Sequence, residues 1–247
     1  MYSTTPFINL PGKSPRRECV RILSVMILLA SNSPRRKQLL ELSGWPYQVL
    51  SLAVDESTQP QENPQEYVLR LAEAKARAAA DLGGQEFSGD EVIVAADTAV
   101  VLDGEILGKP GQAQEAQQML HRLAGGSHLV MTGLFAMRRV DGRQVSAVCT
   151  SQVEMRRYDD TEIDNYIATG DPLDKAGAYA IQHPIFHPVQ AVHGCYPNVV
   201  GLPMCTLKRL LDQMDCSLQE RPARDCQPDT TIPCHYYRQL ASLESNV

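Results

Sequence analysis

No apolar run in this 247-residue sequence reaches the roughly 18–20 residues needed to cross a bilayer, so no transmembrane helix is expected. The nearest approach is 22–30, preceded by Arg16, Arg17 and Arg21, a basic flank and apolar stretch that imitate a signal peptide. That run leads straight into Ser31-Asn32-Ser33-Pro34-Arg35-Arg36 and is read here as a buried β-strand. Positive charge is scarce as well: 23 Lys and Arg against 29 Asp and Glu leave a net charge of −6, so no global field exists to hold nucleic acid. A small anionic substrate stays compatible, because a few local cations suffice for it. The seven cysteines, odd in number and thinly spaced, fit reduced thiols better than a disulfide framework and point to a cytoplasmic location. Also missing are a Gly-x-Gly-x-x-Gly fingerprint, a Walker A loop, a Gly-x-Ser-x-Gly elbow and a His-Glu-x-x-His helix. The six histidines show no metal-ligand spacing, and His183 and His187 read as incidental to a Pro-rich turn.

What is present is an ordinary globular composition, 43% hydrophobic and 21% charged, ample for a real core. Residues 1–25 read as an N-terminal extension, rich in small polar residues and basic, with Met26 a fitting alternative start. From Met26 strands and helices alternate. Strands are expected at 26–30, 47–53 and 92–96, and helices at 34–42, 64–82, 113–124, 161–169 and 202–214. Asp103-Gly104 marks a hairpin between 100–102 and 106–107, and Asp141-Gly142 another between 127–139 and 144–156. The pattern predicts an α/β domain over 26–214 with a mixed sheet and flanking helices. Residues 215–247 change character and read as a separate tail. Its Cys216, Cys226, Cys234 and His235 could serve as a metal or redox module, though no Cys-x2-Cys pair is present.

Three features carry chemistry. At Ser31-Asn32-Ser33-Pro34-Arg35-Arg36 a strand ends and a helix begins with two cations in its first turn, against the helix dipole. An anion at that helix N-terminus would explain them, since free N–H groups and guanidinium forks suit phosphate oxygens; the alternative is a solvated basic turn. In Ala95-Ala96-Asp97-Thr98 a carboxylate directly follows an apolar strand, where open α/β sheets place their ligands. It can hold a divalent cation, accept a proton from water, or simply cap a turn. Lys75, Lys109 and Lys175 complete the inventory, the last beside Ala176-Gly177-Ala178, whose small residues suggest a close backbone approach.

Five segments together resemble the Maf family of nucleotide pyrophosphatases, in that family's order. They are the stretch from Leu28 to Arg36, Ala96-Asp97-Thr98, Leu107-Gly108-Lys109-Pro110, the run from Asp171 to Tyr179, and Asn198-Val199-Val200-Gly201-Leu202-Pro203. The resemblance implies a two-lobed, elongated α/β fold like that of inosine triphosphate pyrophosphatases. It implies hydrolysis of a nucleoside triphosphate to a monophosphate and pyrophosphate with a divalent metal, Mg²⁺ or Mn²⁺, and Asp97 as proton acceptor. Arg35, Thr98 and Gln182 match the family's branch acting on dTTP and UTP, where a branch acting on 7-methyl-GTP carries Trp, Gln and Glu. The chain departs from the family after Gln182, where His183-Pro184-Ile185-Phe186-His187-Pro188 replaces a glycine-rich stretch, and Ala180 replaces a glycine.

On this reading Ser33, Arg35, Arg36, Lys75, Lys109, Asp174 and Lys175 bind the substrate with Thr98 and Gln182, and Asp97 and Glu56 hold the metal. Glu56, a lone acid in a loop, is equally compatible with a solvated position. A homodimer is compatible with the composition. The competing functions are a pyrophosphatase for 7-methyl-GTP or other modified nucleotides, and a non-catalytic nucleotide-binding regulator of septum formation.

Overall fold

The computed structural model describes residues 25–82 and 91–216; the expected extension before residue 25 and the tail from 217 onward lie outside them. In chain order the elements are β1 (Ile27–Ala30), α1 (Pro34–Ser43), β2 (Tyr47–Leu50), α2 (Pro64–Leu82), β3 (Val92–Leu102) and β4 (Glu105–Leu107). Then come α3 (Ala113–Leu123), β5 (Ser127–Arg138), β6 (Gln144–Met155) and α4 (Asp160–Ala168). Two 3₁₀ turns, Asp171–Asp174 and Ala176–Ala178, lead to β7 (Val189–His193), α5 (Tyr196–Val200) and α6 (Met204–Gln213). The strands form one sheet in the order β2-β1-β3-β5-β6-β7, with β4 hydrogen-bonded to β3. β1 runs parallel to β2 and β3, while the other pairs are antiparallel. The mixed α/β architecture is as expected.

Local chemistry sets the boundaries. Ser33 caps α1 by accepting from Arg36 N, Pro34 opens it, and Gly44 closes it in the left-handed region (φ 69°). Asp103 (φ 52°) and Gly104 (φ 83°) supply the two positive φ angles of a tight hairpin turn between β3 and β4. Helix α4 starts one residue earlier than expected and is capped by Asp159, which forms a reciprocal capping box with Glu162. The expected helix 202–214 is shorter, because Gly201 (φ 114°) and Pro203 separate α6 from α5. Strand β7, an alternating edge segment between Pro188 and Gly194, was not anticipated.

The main departure is β3. The sequence divides it at Asp97, but the strand runs unbroken through Asp97 and Thr98, pairing antiparallel with β5 from Val92 to Val101. Successive side chains alternate faces. Val92, Val94 and Ala96 pack under α1 and α6 with Leu39, Leu40 and Leu207, while Ile93 and Ala95 pack under α2 with Ala72, Ala76 and Ala79. Farther along, Val100 and Leu102 join Leu120, Ile163 and Tyr166 of α3 and α4, and Ala99 and Val101 pack with Val68 of α2. Asp97 and Thr98 are the polar break between these clusters, one on each face. Cys216, expected in the tail, is buried in the same core as α6, and Arg143 pairs with Asp215 at 2.7 Å.

Candidate active site

β1 ends at Ala30, opposite Ala95 in the parallel ladder, so β3 continues past it. Asp97 and Thr98 therefore lie just beyond the carboxyl end of β1, where α/β sheets leave a crevice. A cleft of about 890 Å³ opens there, and all of the expected residues line it: Ser33, Arg35, Arg36, Glu56, Lys75, Asp97, Thr98, Lys109, Asp174, Lys175 and Gln182.

On the α2 face, Lys75 Nζ donates to Asp97 Oδ1 at 2.5 Å and to Glu56 Oε1 at 2.7 Å. Lys75 and Asp97 are both buried. Burial alone would raise the Glu56 carboxyl, but hydrogen bonds from Lys109, at 2.8 Å, and Lys75 overcome it and hold the group at about 2. The Glu56 loop is tied down by Tyr67, whose hydroxyl donates to the Glu56 carbonyl at 2.9 Å. Burial, helped by the Asp97 and Glu56 charges, pushes the Tyr67 phenol up to about 12. An ammonium has three protons. Lys75 uses two on carboxylates and Lys109 one, so both retain donors for a substrate.

On the opposite face the hydroxyls form a directed chain. Arg36 Nη2 donates to Thr98 Oγ1 at 3.1 Å, Thr98 and Thr132 hydroxyl oxygens lie 2.9 Å apart, and Thr132 Oγ1 donates to the Asn198 carbonyl at 3.0 Å. Since Thr132 spends its proton on Asn198, the Thr98 proton goes to Thr132 and is not available to a nucleotide. Thr98 thus links Arg36 to Thr132 while itself lining the cleft. Arg36 is drawn inward too: its Nε donates to Gly201 O at 2.8 Å and its Nη1 to Ser31 Oγ at 3.2 Å. Burial lowers its pKa, opposed by the Asp97 charge. Arg36 is a clamp between α1, β3 and the end of α5. Its neighbour Arg35 has no hydrogen-bond or ion-pair partner among the described residues and stands in the cleft wall. Ser33 Oγ is engaged in capping, at 3.5 Å from Arg36 N.

At the far wall Lys175 is buried and spends all three protons, on Asp171 O (2.7 Å), Asp171 Oδ1 (2.8 Å) and Asp174 Oδ1 (2.6 Å). Tyr166 holds this cluster: its hydroxyl donates to Asp171 Oδ2 at 2.7 Å and accepts from Ala180 N at 3.0 Å. The close approach expected at Ala-Gly-Ala is internal. A Cβ on Gly177 would come within 2.8 Å of Val100 Cγ1, and its N–H bonds to Gly108 O at 3.1 Å. Gln182 follows in the next turn, and His183 after it, expected to be incidental, also lines the cleft. Sequence reasoning did not single out Tyr166, Asp171, Thr132, Asn198 or Tyr67. Asp171 and Asn198 lay in quoted motifs, while the others carry no local signal.

Five cations (Arg35, Arg36, Lys75, Lys109, Lys175) meet four carboxylates (Glu56, Asp97, Asp171, Asp174) around the cleft, a small surplus against the several negative charges of a triphosphate. No group of three or more His, Cys, Asp or Glu side chains converges as a cage among the described residues. The two carboxylates joined through Lys75 suit a hard cation that completes its shell with phosphate oxygens and water. No helix of the described residues is long and apolar enough to cross a membrane.

Comparisons with known proteins place the chain among relatives. The Maf-like protein family matches residues 26–214. A protein of Citrifermentans bemidjiense named dTTP/UTP pyrophosphatase is 49% identical over 181 residues, 72% of this chain and 90% of that protein. Proteins of the same name from Anaeromyxobacter dehalogenans (46% over 187 residues, 75% and 92%) and Dehalococcoides mccartyi (40% over 214 residues, 86% and 92%) are similar to it as well. Among solved structures, the Staphylococcus aureus Ham1 protein matches at a TM-score of 0.36 and 15% identity, covering 53% of this chain and 71% of that one. With motif residues converging on one cleft and the family match spanning most of the chain, this protein belongs to the Maf-like protein family.

Proposed function

We propose that this chain is a dTTP/UTP pyrophosphatase, cleaving the bond between the α- and β-phosphates to give a nucleoside monophosphate and pyrophosphate. The observation that carries the reading is the buried Lys75–Asp97 pair at the floor of a cleft whose walls present Arg35 and Lys109; the relatives' names supply the substrate class. Phosphoryl chemistry asks for charge neutralisation and a placed water, with little covalent work by the protein. Asp97 accepts the proton of the attacking water as its oxygen bonds to the α-phosphorus, and pyrophosphate leaves with the electron pair of the broken P–O bond. Lys75 holds the Asp97 carboxylate in place on the cleft floor. Arg35 and Lys109 bind phosphate oxygens, and Arg36 with Thr98 holds the turn that presents Arg35. Asp97 and Glu56 would hold Mg²⁺ or Mn²⁺, which supplies charge neutralisation on the phosphates.

Gln182 offers a donor and an acceptor to the O4 and N3–H edge of uracil or thymine. A purely binding protein has no use for a buried carboxylate on the cleft floor. The test is a panel of standard and modified triphosphates with Mg²⁺, with products separated. Monophosphate and pyrophosphate from UTP and dTTP support the assignment, and preference for 7-methyl-GTP or binding without turnover overturns it.

A further inference from the structure

The turn after Gln182 is built around a histidine whose chemistry is fixed by the backbone. His183 N donates to Ala180 O at 3.3 Å, closing a turn that carries Gln182. His183 Nδ1 then accepts from Phe186 N at 2.9 Å and Ile185 N at 3.4 Å. The ring lies edge-on against Tyr166, centroids 4.6 Å apart, the same Tyr166 that receives Ala180 N and holds Asp171. Phe186, buried, stacks on Tyr166 at 4.4 Å, and Arg156 bonds its carbonyl at 2.5 Å. Pro184 fixes φ inside the turn. His183 is therefore held by backbone at its Nδ1 and by Tyr166 against its ring, in the wall of the cleft beside Gln182.

Because two backbone N–H groups point at Nδ1, that nitrogen carries no proton, and the neutral ring carries its proton on Nε2. Among the described residues nothing else accepts from Nε2. We propose that His183 is a base-specificity residue: its Nε2–H donates to the O4 carbonyl of uracil or thymine alongside the Gln182 amide. This rests on the pyrimidine reading above and deepens it. Gln182 alone does not separate uracil from cytosine, since a half-turn of its amide exchanges donor and acceptor and suits either edge. His183 cannot turn over, because its Nδ1 is committed to the backbone. A carbonyl O4 has two lone pairs and accepts from both residues. The N4 amino group of cytosine would meet a fixed N–H with a second donor, leaving both unpaired.

The test uses calorimetric titration of the Mg²⁺-supplemented protein with α,β-imido-UTP and α,β-imido-CTP, for wild type and His183→Asn. The Asn Oδ1 can still accept from the backbone N–H groups and keep the turn, but its side chain does not reach as far as Nε2. Wild type should prefer the uridine analogue by roughly 10-fold, and His183→Asn should lose most of that preference, by weakening uridine binding and relieving the donor–donor clash with cytidine. Thermal unfolding checks that the turn survives; His183→Ser, a shorter acceptor, is measured alongside. Equal preference in wild type and variants, no preference in wild type, or no binding of either analogue overturns the proposal. Pyrophosphate release from UTP is followed separately, so a protein that discriminates without turnover would sink the activity reading and leave the role of His183 standing.

Discussion

Lys75 Nζ stands 2.5 Å from Asp97 Oδ1, joining the middle of α2 to the middle of β3 at a point where both side chains are buried. A buried carboxylate interrupts an otherwise apolar strand only because a cation from 22 positions away in the chain meets it. Replacing Lys75 with Met should lower kcat/KM for UTP by at least about 100-fold. Without the cation nothing fixes the Asp97 carboxylate on the cleft floor, so the loss should fall mainly on kcat. A folded variant with the wild-type kcat would show that Lys75 does not act on Asp97.

The two arginines of the Ser-Pro-Arg-Arg turn should separate cleanly. Arg36→Lys removes a planar group bonded to Gly201, Ser31 and Thr98, and should cost about 2–3 kcal/mol in urea unfolding. Arg35→Ala breaks no hydrogen bond or ion pair among the described residues and should leave stability within ~0.5 kcal/mol while raising KM about 10-fold. The reverse pattern would exchange their roles.

Gly133 pairs with Asp97 across the sheet, and α2 crosses so close that a Cβ there would lie 2.5 Å from the Val68 carbonyl. Backbone cannot yield as a side-chain tip can. Gly133→Ala should push α2 outward, cost about 1–3 kcal/mol, and draw Lys75 away from Asp97. Measured at a temperature where the variant is folded, kcat should fall by more than 10-fold; a stable, fully active variant would contradict the packing argument.

His128, buried in the sheet with Nε2 at 2.8 Å from the Tyr179 hydroxyl, has its pKa lowered from 6.5 to about 4 by burial. The unfolded chain therefore binds this proton first as pH falls. Its contribution is fully present above about 6.5 and is lost on the way down to about 4, a span worth on the order of 3 kcal/mol. Glu56, held at about 2, adds its own loss only below its unfolded value of 4.5. Unfolding free energies between pH 7 and 4.5 should thus fall more steeply for wild type than for His128→Leu. Parallel curves would contradict the assignment.

Much of the site was legible because its signals are local. A capped helix after an apolar strand, an Asp-Thr pair and a Lys-Ala-Gly-Ala run are each a few residues long, and the fold brings them to one cleft. What the sequence concealed depends on partners far along the chain. Asp97 reads as the end of a strand in the sequence because its neutralising lysine is on another element. The hydrogen bonds of Thr98 are invisible there because they run to Arg36 and through Thr132 to Asn198, the last two 66 positions apart. Tyr166 sits among the apolar residues of an amphipathic helix, and nothing at helical spacing distinguishes a phenol that holds Asp171 from one that only fills space. His183 shows no metal-ligand spacing in the sequence, and the backbone groups that engage its Nδ1, two and three residues on, leave no signal in residue type.

The most direct test of the account is pyrophosphate release from UTP and dTTP by wild type and Asp97→Asn, side by side in Mg²⁺. Asn keeps the shape, and Lys75 retains Glu56 as a partner, so the variant should stay folded. Wild type should yield monophosphate and pyrophosphate in equal amounts, and the variant should be slower by at least about 10²-fold. A folded Asp97→Asn protein working at the wild-type rate, or a wild type releasing orthophosphate in place of pyrophosphate, would contradict it.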